Sequence, residues 1–435
     1  MEPIAHLRLV ERSEPPEYDE QTLKAHNENS GKYAAEALRC IRLDKVGSFC
    51  GNIHYLGKAT KKFFDYIQPD NTLRRGEVNH TFAAVRYIFE MSDGVDNEVR
   101  ELLAYAVGAH HGQFDAVNDD HKNGFEHRLT KDGIDYDEAK KNFNKYCFSD
   151  AELKSQFNEA AEQLTKIIEG IRERNPKRSA RQAEEYEFQI SLLARLLLSA
   201  VIEGDRRDTA EFMENMEFPQ VEADWDECLG HIEEKLGKFS NTRPIDGARK
   251  QISDICRAAA EEEPGIFRLN VPTGAGKTLS GLRFAVAHAK AYRKKRIIFT
   301  SPLLSILDQN AKIIREFIGD DNIITEHHSN VALDEDNADE LKRAQLLTEN
   351  WSSPVIITTL VQRLDTLFAG KTSCIRRMHA LCDSVIVIDE VQTVPNEMLS
   401  LFNTAVNFLS EVCGATIVLC SATQPCLEQT AHPMT

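Results

Sequence analysis

A chain of 435 residues with 42% hydrophobic residues is long enough for two or more domains with cores of their own. Its 69 Asp and Glu against 52 Lys and Arg give a net charge of −17, which excludes a broad basic coat. Any contact with nucleic acid therefore has to be a local groove. The acidity is uneven: 20 Lys and Arg stand against 23 Asp and Glu from residue 241 onward, leaving 32 against 46 before it.

The first stretch, "MEPIAHLRLVERSEPPEYDE", is charged throughout and has no apolar core of a signal peptide. From residue 20 to 215 apolar residues recur three and four apart, in "KYAAEALRCI", "HTFAAVRYIF", "VRELLAYAVGAHH", "FNEAAEQLTKII" and "FQISLLARLLLSAVI", which predicts an all-α half. The longest apolar run, "ISLLARLLLSAVI", is interrupted by Arg195 and reads as a buried helix, with no membrane span. The breaker-rich "RERNPKRSARQAEE" separates two of these helices, and "GKFSNTRPIDG" marks a linker. Ten cysteines without a C-x-x-C pair suit reduced thiols and a cytoplasmic location. The expected division is an all-α domain over 1–236, a linker over 237–247 and an α/β domain over 248–435.

Beyond the linker, "IFRLNV", "RIIFTS", "NIITEHH", "PVIITTL", "SVIVIDE" and "ATIVLCSA" are β-branched runs alternating with helical segments, which implies a mainly parallel sheet. "NVPTGAGKTLSGLRFAVA" follows the first strand and opens a helix. Glycines there let successive backbone N–H groups cradle phosphate, and the pattern makes Pro272, Thr273, Gly274, Ala275, Gly276, Lys277 and Thr278 nucleotide-binding candidates. Lys277 would reach the β/γ-phosphates of ATP and Thr278 would ligate Mg²⁺. An ordinary glycine-rich turn is the bland alternative, but strand, loop and helix occur here in the order a phosphate loop requires. "SVIVIDEVQTVP" ends a strand in Asp389 and Glu390, at the carboxyl edge where such sheets bind ligands. Asp389 would hold Mg²⁺ and Glu390 would orient the attacking water. Ser301, Thr358, Thr359 and Gln362 lie on loops that could meet a nucleic-acid backbone, and Ser421 and Thr423 of "LCSATQP" could couple it to the nucleotide.

In the helical half, His26, His54, His80, His110 and His111 fall on successive helical segments, with Asp205 in "VIEGDRRDTAEF" as an acidic companion. Any one of them alone reads as a satisfied helix histidine. As an ordered set they suit a site for divalent ions that activates water against phosphodiesters. The remaining histidines, among them His6, His121, His127, His231, His288 and His379, lack such company and read as structural.

Taken in order, "PTGAGKT", "ITTLVQ", "DEVQ" and "SATQP" resemble the first RecA-like motor domain of superfamily 2 helicases. With "IHYLGKATKKF", "VNHTFAAV" and "HHGQFD" before them, the whole resembles the CRISPR-associated HD-nuclease/helicase of type I interference systems, most closely the type I-C branch. The resemblance implies an HD domain that degrades single-stranded DNA using Mn²⁺, Ni²⁺, Co²⁺ or Fe²⁺, and an ATP·Mg²⁺-driven motor. It also implies recruitment by the Cascade surveillance complex with its CRISPR RNA, and a catalytic role for Lys58 beside Asp389 and Glu390. In that family an Asp follows the His54 equivalent and bridges two metals. Tyr55 stands there in this sequence, and a neutral phenol cannot offer two bridging oxygens. Such helicases also use a second RecA-like domain to clamp the γ-phosphate; none precedes Thr435, so an incomplete motor is expected. Two other classes are open on the residues alone: a non-catalytic module binding DNA or Cascade, and an HD-type nucleotide phosphohydrolase.

Overall fold

The computed structural model describes residues 2–10, 16–74, 78, 80–114, 124–129, 135–240, 242–328, 348–423, 425 and 427–434. They form two compact units, one drawn from 1–174, 193–218 and 370–379, the other from 175–192, 219–369 and 380–435. His121, the side chain of His127 and Gln424 of the "SATQP" stretch lie outside the described residues.

The first unit is helical, as its 3.6-residue periodicity requires, with one departure. Strands β1 (Ile4–Leu9) and β2 (Tyr18–Thr22) pair antiparallel, with a register shift between Ile4 and His6. Thr22 then caps the helix Leu23–Leu38, its hydroxyl accepting from the Ala25 N–H at 3.2 Å. The next long helix, Asp44–Ile53, lies close against it, and Phe49 packs edge-on to Phe157 of the helix Asp150–Arg174 with ring centroids 5.6 Å apart. The helices Phe82–Met91 and Asn97–Gly108 complete the surroundings of the site, together with residues 193–214 of the helix Ala180–Glu214.

All six strands expected after the linker are present. β3 (Ile266–Asn270), β4 (Arg296–Ser301), β5 (Ile324–His327), β6 (Val355–Thr359), β7 (Ser384–Ile388) and β8 (Thr416–Ser421) form one parallel sheet in the order β3-β8-β7-β4-β6-β5. β7 and β8 are buried at every residue, which is why they read as unbroken apolar runs rather than alternating ones. The core of this unit joins sheet residues such as Ile297, Phe299 and Val387 to Leu282, Val286 and Ile314 on the covering helices. Cys228, Leu229 and Ile232 of the helix Trp225–Gly237 belong to the same core, so that helix packs with the sheet although it precedes the linker stretch. Among the described residues no helix is long and apolar enough to cross a membrane.

Candidate active sites

Close helix approach builds the first site. A Cβ on Gly51 would lie 2.5 Å from the Gly31 Cα, and one on Gly204 would lie 2.3 Å from the Ser30 carbonyl oxygen. Only hydrogen at these positions lets three helices meet along the stretch that carries His26, His54 and Asp205. His26 Nε2 then lies 3.4 Å from His54 Nε2, and Asp205 Oδ1 lies 3.5 Å from the first and 3.7 Å from the second. His80 Nε2 lies 3.2 Å from His111 Nε2. Two groups of donors, His26–His54–Asp205 and His110–His111–Asp205, each fall within 4.8 Å of one another.

The expectation that these histidines lie on helices is corrected by the structure: only His26 is inside one. His54 is the C-cap of Asp44–Ile53, His110 and His111 follow Asn97–Gly108, and His80 precedes Phe82–Met91. Helix ends supply the reason, because their last carbonyls lack helical partners. His54 Nδ1 donates to the Gly51 carbonyl at 2.7 Å and His110 Nδ1 to the Val107 carbonyl at 2.6 Å. Those bonds fix the tautomer and leave each Nε2 lone pair facing the cluster. For His26 the same service comes from Asp208, whose Oδ2 lies 2.6 Å from Nδ1 and which also accepts from Gln21 and Asn29.

Two residues of this site escape the sequence reading. Asp208 lies one turn from Asp205, a helical spacing that could have pointed to it. His6, taken above as structural, sits beside the cluster with its ring 4.9 Å from that of His26. The register shift in β1 falls next to it, and no local pattern announces such a shift.

Tyr55 occupies the middle. Its ring centroid is 4.0 Å from His54, 4.8 Å from His26, 5.6 Å from His110 and 5.9 Å from both His80 and His111. Lys58 Nζ stands 3.2 Å from the Tyr55 ring centroid and 5.1 Å from that of Phe63. Burial and the Asp205 charge push the phenol well above its usual value, so it is neutral. Burial lowers Lys58 to about 7, His80 to about 3 and His6 to about 2, and it holds His54 and His110 below their ordinary value. Asp205 moves the other way: burial would raise it, but the His26 and His54 rings beside it hold it well below the carboxylate range.

The donor set fits a divalent transition ion. Imidazoles and a carboxylate converge, and among the described residues Asp205 Oδ1 and His110 Nε2 are buried without a hydrogen-bond partner, a costly state that a cation would relieve.

The second site lies at the carboxyl edge of the parallel sheet. Gly274 and Gly276 adopt φ of 81° and 87°, left-handed values that turn the loop after β3 into the helix Lys277–Tyr292. Pro272 closes that turn by accepting from the Ala275 N–H, and Arg249 reaches the Gly274 carbonyl through Nε at 3.0 Å and Nη2 at 2.7 Å. Lys277 Nζ donates to Glu390 Oε1 at 2.7 Å. Thr278 donates to Asn310 Oδ1 at 3.0 Å, and Asn310 Nδ2 donates in turn to Ser301 Oγ at 3.0 Å and Asp389 Oδ2 at 3.3 Å. Asn310 and Arg249 therefore belong to the site, though neither is among the candidate residues named from the sequence.

Glu390 carries a positive φ of 51°, a strained backbone for a non-glycine residue, and with Asp389 it forms the turn that follows β7. Burial would raise Glu390, but hydrogen bonds from Lys277 and Gln392 hold it below its usual value; burial and the neighbouring Glu390 charge raise Asp389. Gln392 donates to Glu390 Oε2 at 2.5 Å, and the Ser421 hydroxyl is shared between Gln392 Oε1 and the Thr423 carbonyl, each at 2.6 Å. A continuous hydrogen-bonded chain thus links the phosphate loop to the "SAT" turn. Of the hydroxyls read as backbone contacts, Ser301 and Thr358 are buried and bonded internally, Thr358 to the His327 carbonyl, while Thr359 caps its helix by accepting from Gln362 N–H. A cleft of about 500 Å³ adjoins the loop, lined among others by Arg249, Gly276, Phe239, Arg243 and Ser253, within the size range of small-ligand pockets.

The DEAD/DEAH box helicase family model matches residues 253–430. The CRISPR-associated nuclease/helicase Cas3 of Haloferax volcanii is 22% identical, over 93% of this chain and 48% of the relative. The crystal structure of T. fusca Cas3 superposes with a TM-score of 0.56 at 16% identity, covering 93% of this chain and 49% of that one. Its ATP-bound form gives 0.54 at 17%, covering 96% and 50%. The chain spans about half the length of the relatives it matches. It is homologous to the CRISPR-associated nuclease/helicase Cas3, with a DEAD/DEAH box helicase domain in its carboxyl-terminal half.

Proposed function

We propose that this chain acts in CRISPR interference as a metal-dependent nuclease on single-stranded DNA, coupled to an ATP-driven motor and recruited by Cascade. The observation that carries the reading is the pairing of two separate hydrolytic sites in one chain. One is a cluster of imidazoles with Asp205, in which His26, His54 and His110 are aimed by a carboxylate or backbone partner; the other is a phosphate loop facing an Asp–Glu pair.

In the first site His26, His54 and Asp205 would hold a divalent ion, with His80, His110 and His111 as the remaining donors. Bound there, such an ion supplies a water acidic enough to attack a phosphodiester at neutral pH. The protein's own residues do the rest. Asp208 and the helix-end carbonyls hold the imidazoles in one tautomer, and Lys58 is placed to meet a phosphate oxygen. In the second site Lys277 and Thr278 would receive the phosphates of ATP·Mg²⁺ while Asp389 binds its Mg²⁺. Once phosphate displaces it from Lys277, Glu390 can orient the attacking water. The Gln392–Ser421 chain offers a route by which that change reaches a bound strand. The cleft beside Arg249 would seat the base and ribose.

The alternative of a non-catalytic DNA- or Cascade-binding chain rests on Tyr55, which stands where a bridging carboxylate is expected. A cleavage assay on single-stranded DNA with Mn²⁺, Ni²⁺, Co²⁺ or Fe²⁺ separates the two. Cleavage lost on His54→Ala supports the nuclease. Absence of cleavage with every metal, from a chain that still binds ATP, supports the binding role.

A further inference from the structure

Donor count and space disagree in the first site. Six nitrogen and oxygen donors from His26, His54, His80, His110, His111 and Asp205 are enough for two ions, and Asp205 is common to both groups that converge. Two ions sharing a carboxylate sit about 3.5–4 Å apart and need an open volume between their ligands. That volume is filled. The Tyr55 ring stacks on His26 at an interplanar angle of 18° and lies within 5.9 Å of the rings of His54, His80, His110 and His111. Lys58 Nζ lies over the same ring and 5.1 Å from the Phe63 ring, which is itself 5.4 Å from the His80 ring.

The two donor groups also differ in readiness. His26, His54 and Asp205 are all buried, and both imidazoles have Nδ1 bonded so that Nε2 points at Asp205 Oδ1. In the other group His111 is exposed, and its Nε2 already faces His80 Nε2.

We infer that this chain has a one-ion centre, held by His26, His54 and Asp205, in which the Tyr55 ring and the Lys58 side chain fill the place of a second ion. The inference rests on the metal-dependent reading above and deepens it. A phosphodiester in this site would meet one cation and the Lys58 side chain, and Tyr55 would be a wall of the pocket.

Counting ions tests this apart from any cleavage. The purified chain is stripped, loaded with Mn²⁺, desalted and assayed for bound metal, and its electron paramagnetic resonance spectrum is recorded. One ion with the spectrum of an isolated Mn²⁺ is expected, and the same for Tyr55→Phe, which keeps the ring. Tyr55→Asp is expected to take two ions with an exchange-coupled spectrum. Should that variant not fold, Tyr55→Ala, which opens the space without adding a charge, is expected to take a second, weaker ion. His26→Ala should weaken the single ion at least tenfold, whereas His111→Ala should leave it bound. Two ions in the unaltered chain, or one ion in every folded Tyr55 variant, overturns the inference. No ion in any variant overturns it together with the metal-dependent reading on which it rests.

Discussion

Lys277 and Glu390 hold each other across 2.7 Å, the lysine nearly buried and the carboxylate mostly so. The pair neutralises two groups that ATP would need separately. In the proposed function phosphate would take the lysine and its arrival would free Glu390 to act on water, which would make binding and activation the same event. Lys277→Ala should raise the dissociation constant for ATP·Mg²⁺ by roughly 100-fold, the worth of about 3 kcal/mol for a charge-assisted contact. Glu390→Gln should bind ATP at least as tightly, because the lysine is released, and lose hydrolysis by roughly 10²-fold or more. Fluorescent-nucleotide titration and phosphate release measure the two separately. Unchanged nucleotide affinity in Lys277→Ala would sink this account.

Asn310 ties three elements together, bonding Thr278, Ser301 and Asp389 with one amide. Asn310→Ala should leave buried polar groups unpaired at a cost of about 1–3 kcal/mol. A lowered melting temperature and a raised KM for ATP·Mg²⁺ are expected together. An Asn310→Ala chain as stable as the original, with the same KM, would show the amide to be dispensable.

Asp208 acts through His26 and touches no substrate in this reading. Asp208→Asn keeps a hydrogen-bond partner but removes the charge that makes the imidazole a stronger donor. Metal affinity is expected to fall about 10–100-fold while single-stranded DNA affinity stays the same. Isothermal titration with Mn²⁺ reads the first, and an equal affinity for Mn²⁺ in both chains would count against the assignment.

His288 reports on the second unit. Its Nδ1 donates to the Ala260 carbonyl at 3.0 Å, so Nε2 must be unprotonated to accept from Thr416 at 2.9 Å. Burial lowers it to about 4 against an ordinary 6.5. The unfolded chain therefore binds a proton that the folded chain refuses between those values. The His288 contribution to stability is complete above pH 6.5 and is lost as pH falls through 4, at up to about 1.4 kcal/mol per unit. In denaturant melts, the stability gap between the original and His288→Gln should shrink steadily from pH 7 to pH 4. A gap constant with pH would mean that the ring titrates normally.

With a net charge of −17, binding to duplex DNA should be weak and should fade as salt rises from about 0.05 to 0.2 M, because only a few phosphate contacts are available. Single strands are expected to bind better, since only they can deliver a backbone to the buried donors. Fluorescence anisotropy against salt decides it, and tight duplex binding unchanged at the higher salt would contradict the reading.

Apolar periodicity and short motifs determined much of this protein before any coordinates. Six β-branched runs became six parallel strands, "GAGKT" opened a helix after the first of them, and Asp389–Glu390 followed the fifth. Those features are local: a strand, a turn with positive φ and a helix start are written within a few residues of one another. What only the tertiary structure decided is who meets whom. His6 enters through a register shift, Asp208 aims His26 from 182 positions away, and Asn310 and Arg249 join the phosphate loop from two other helices. Tyr55 could be read as the residue beside a histidine, but its place among five imidazole rings depends on how closely the helices pack, which Gly31, Gly51 and Gly204 permit. Sequence patterns encode which face of an element is apolar. The meeting of polar groups hundreds of residues apart is set by the packing of those faces.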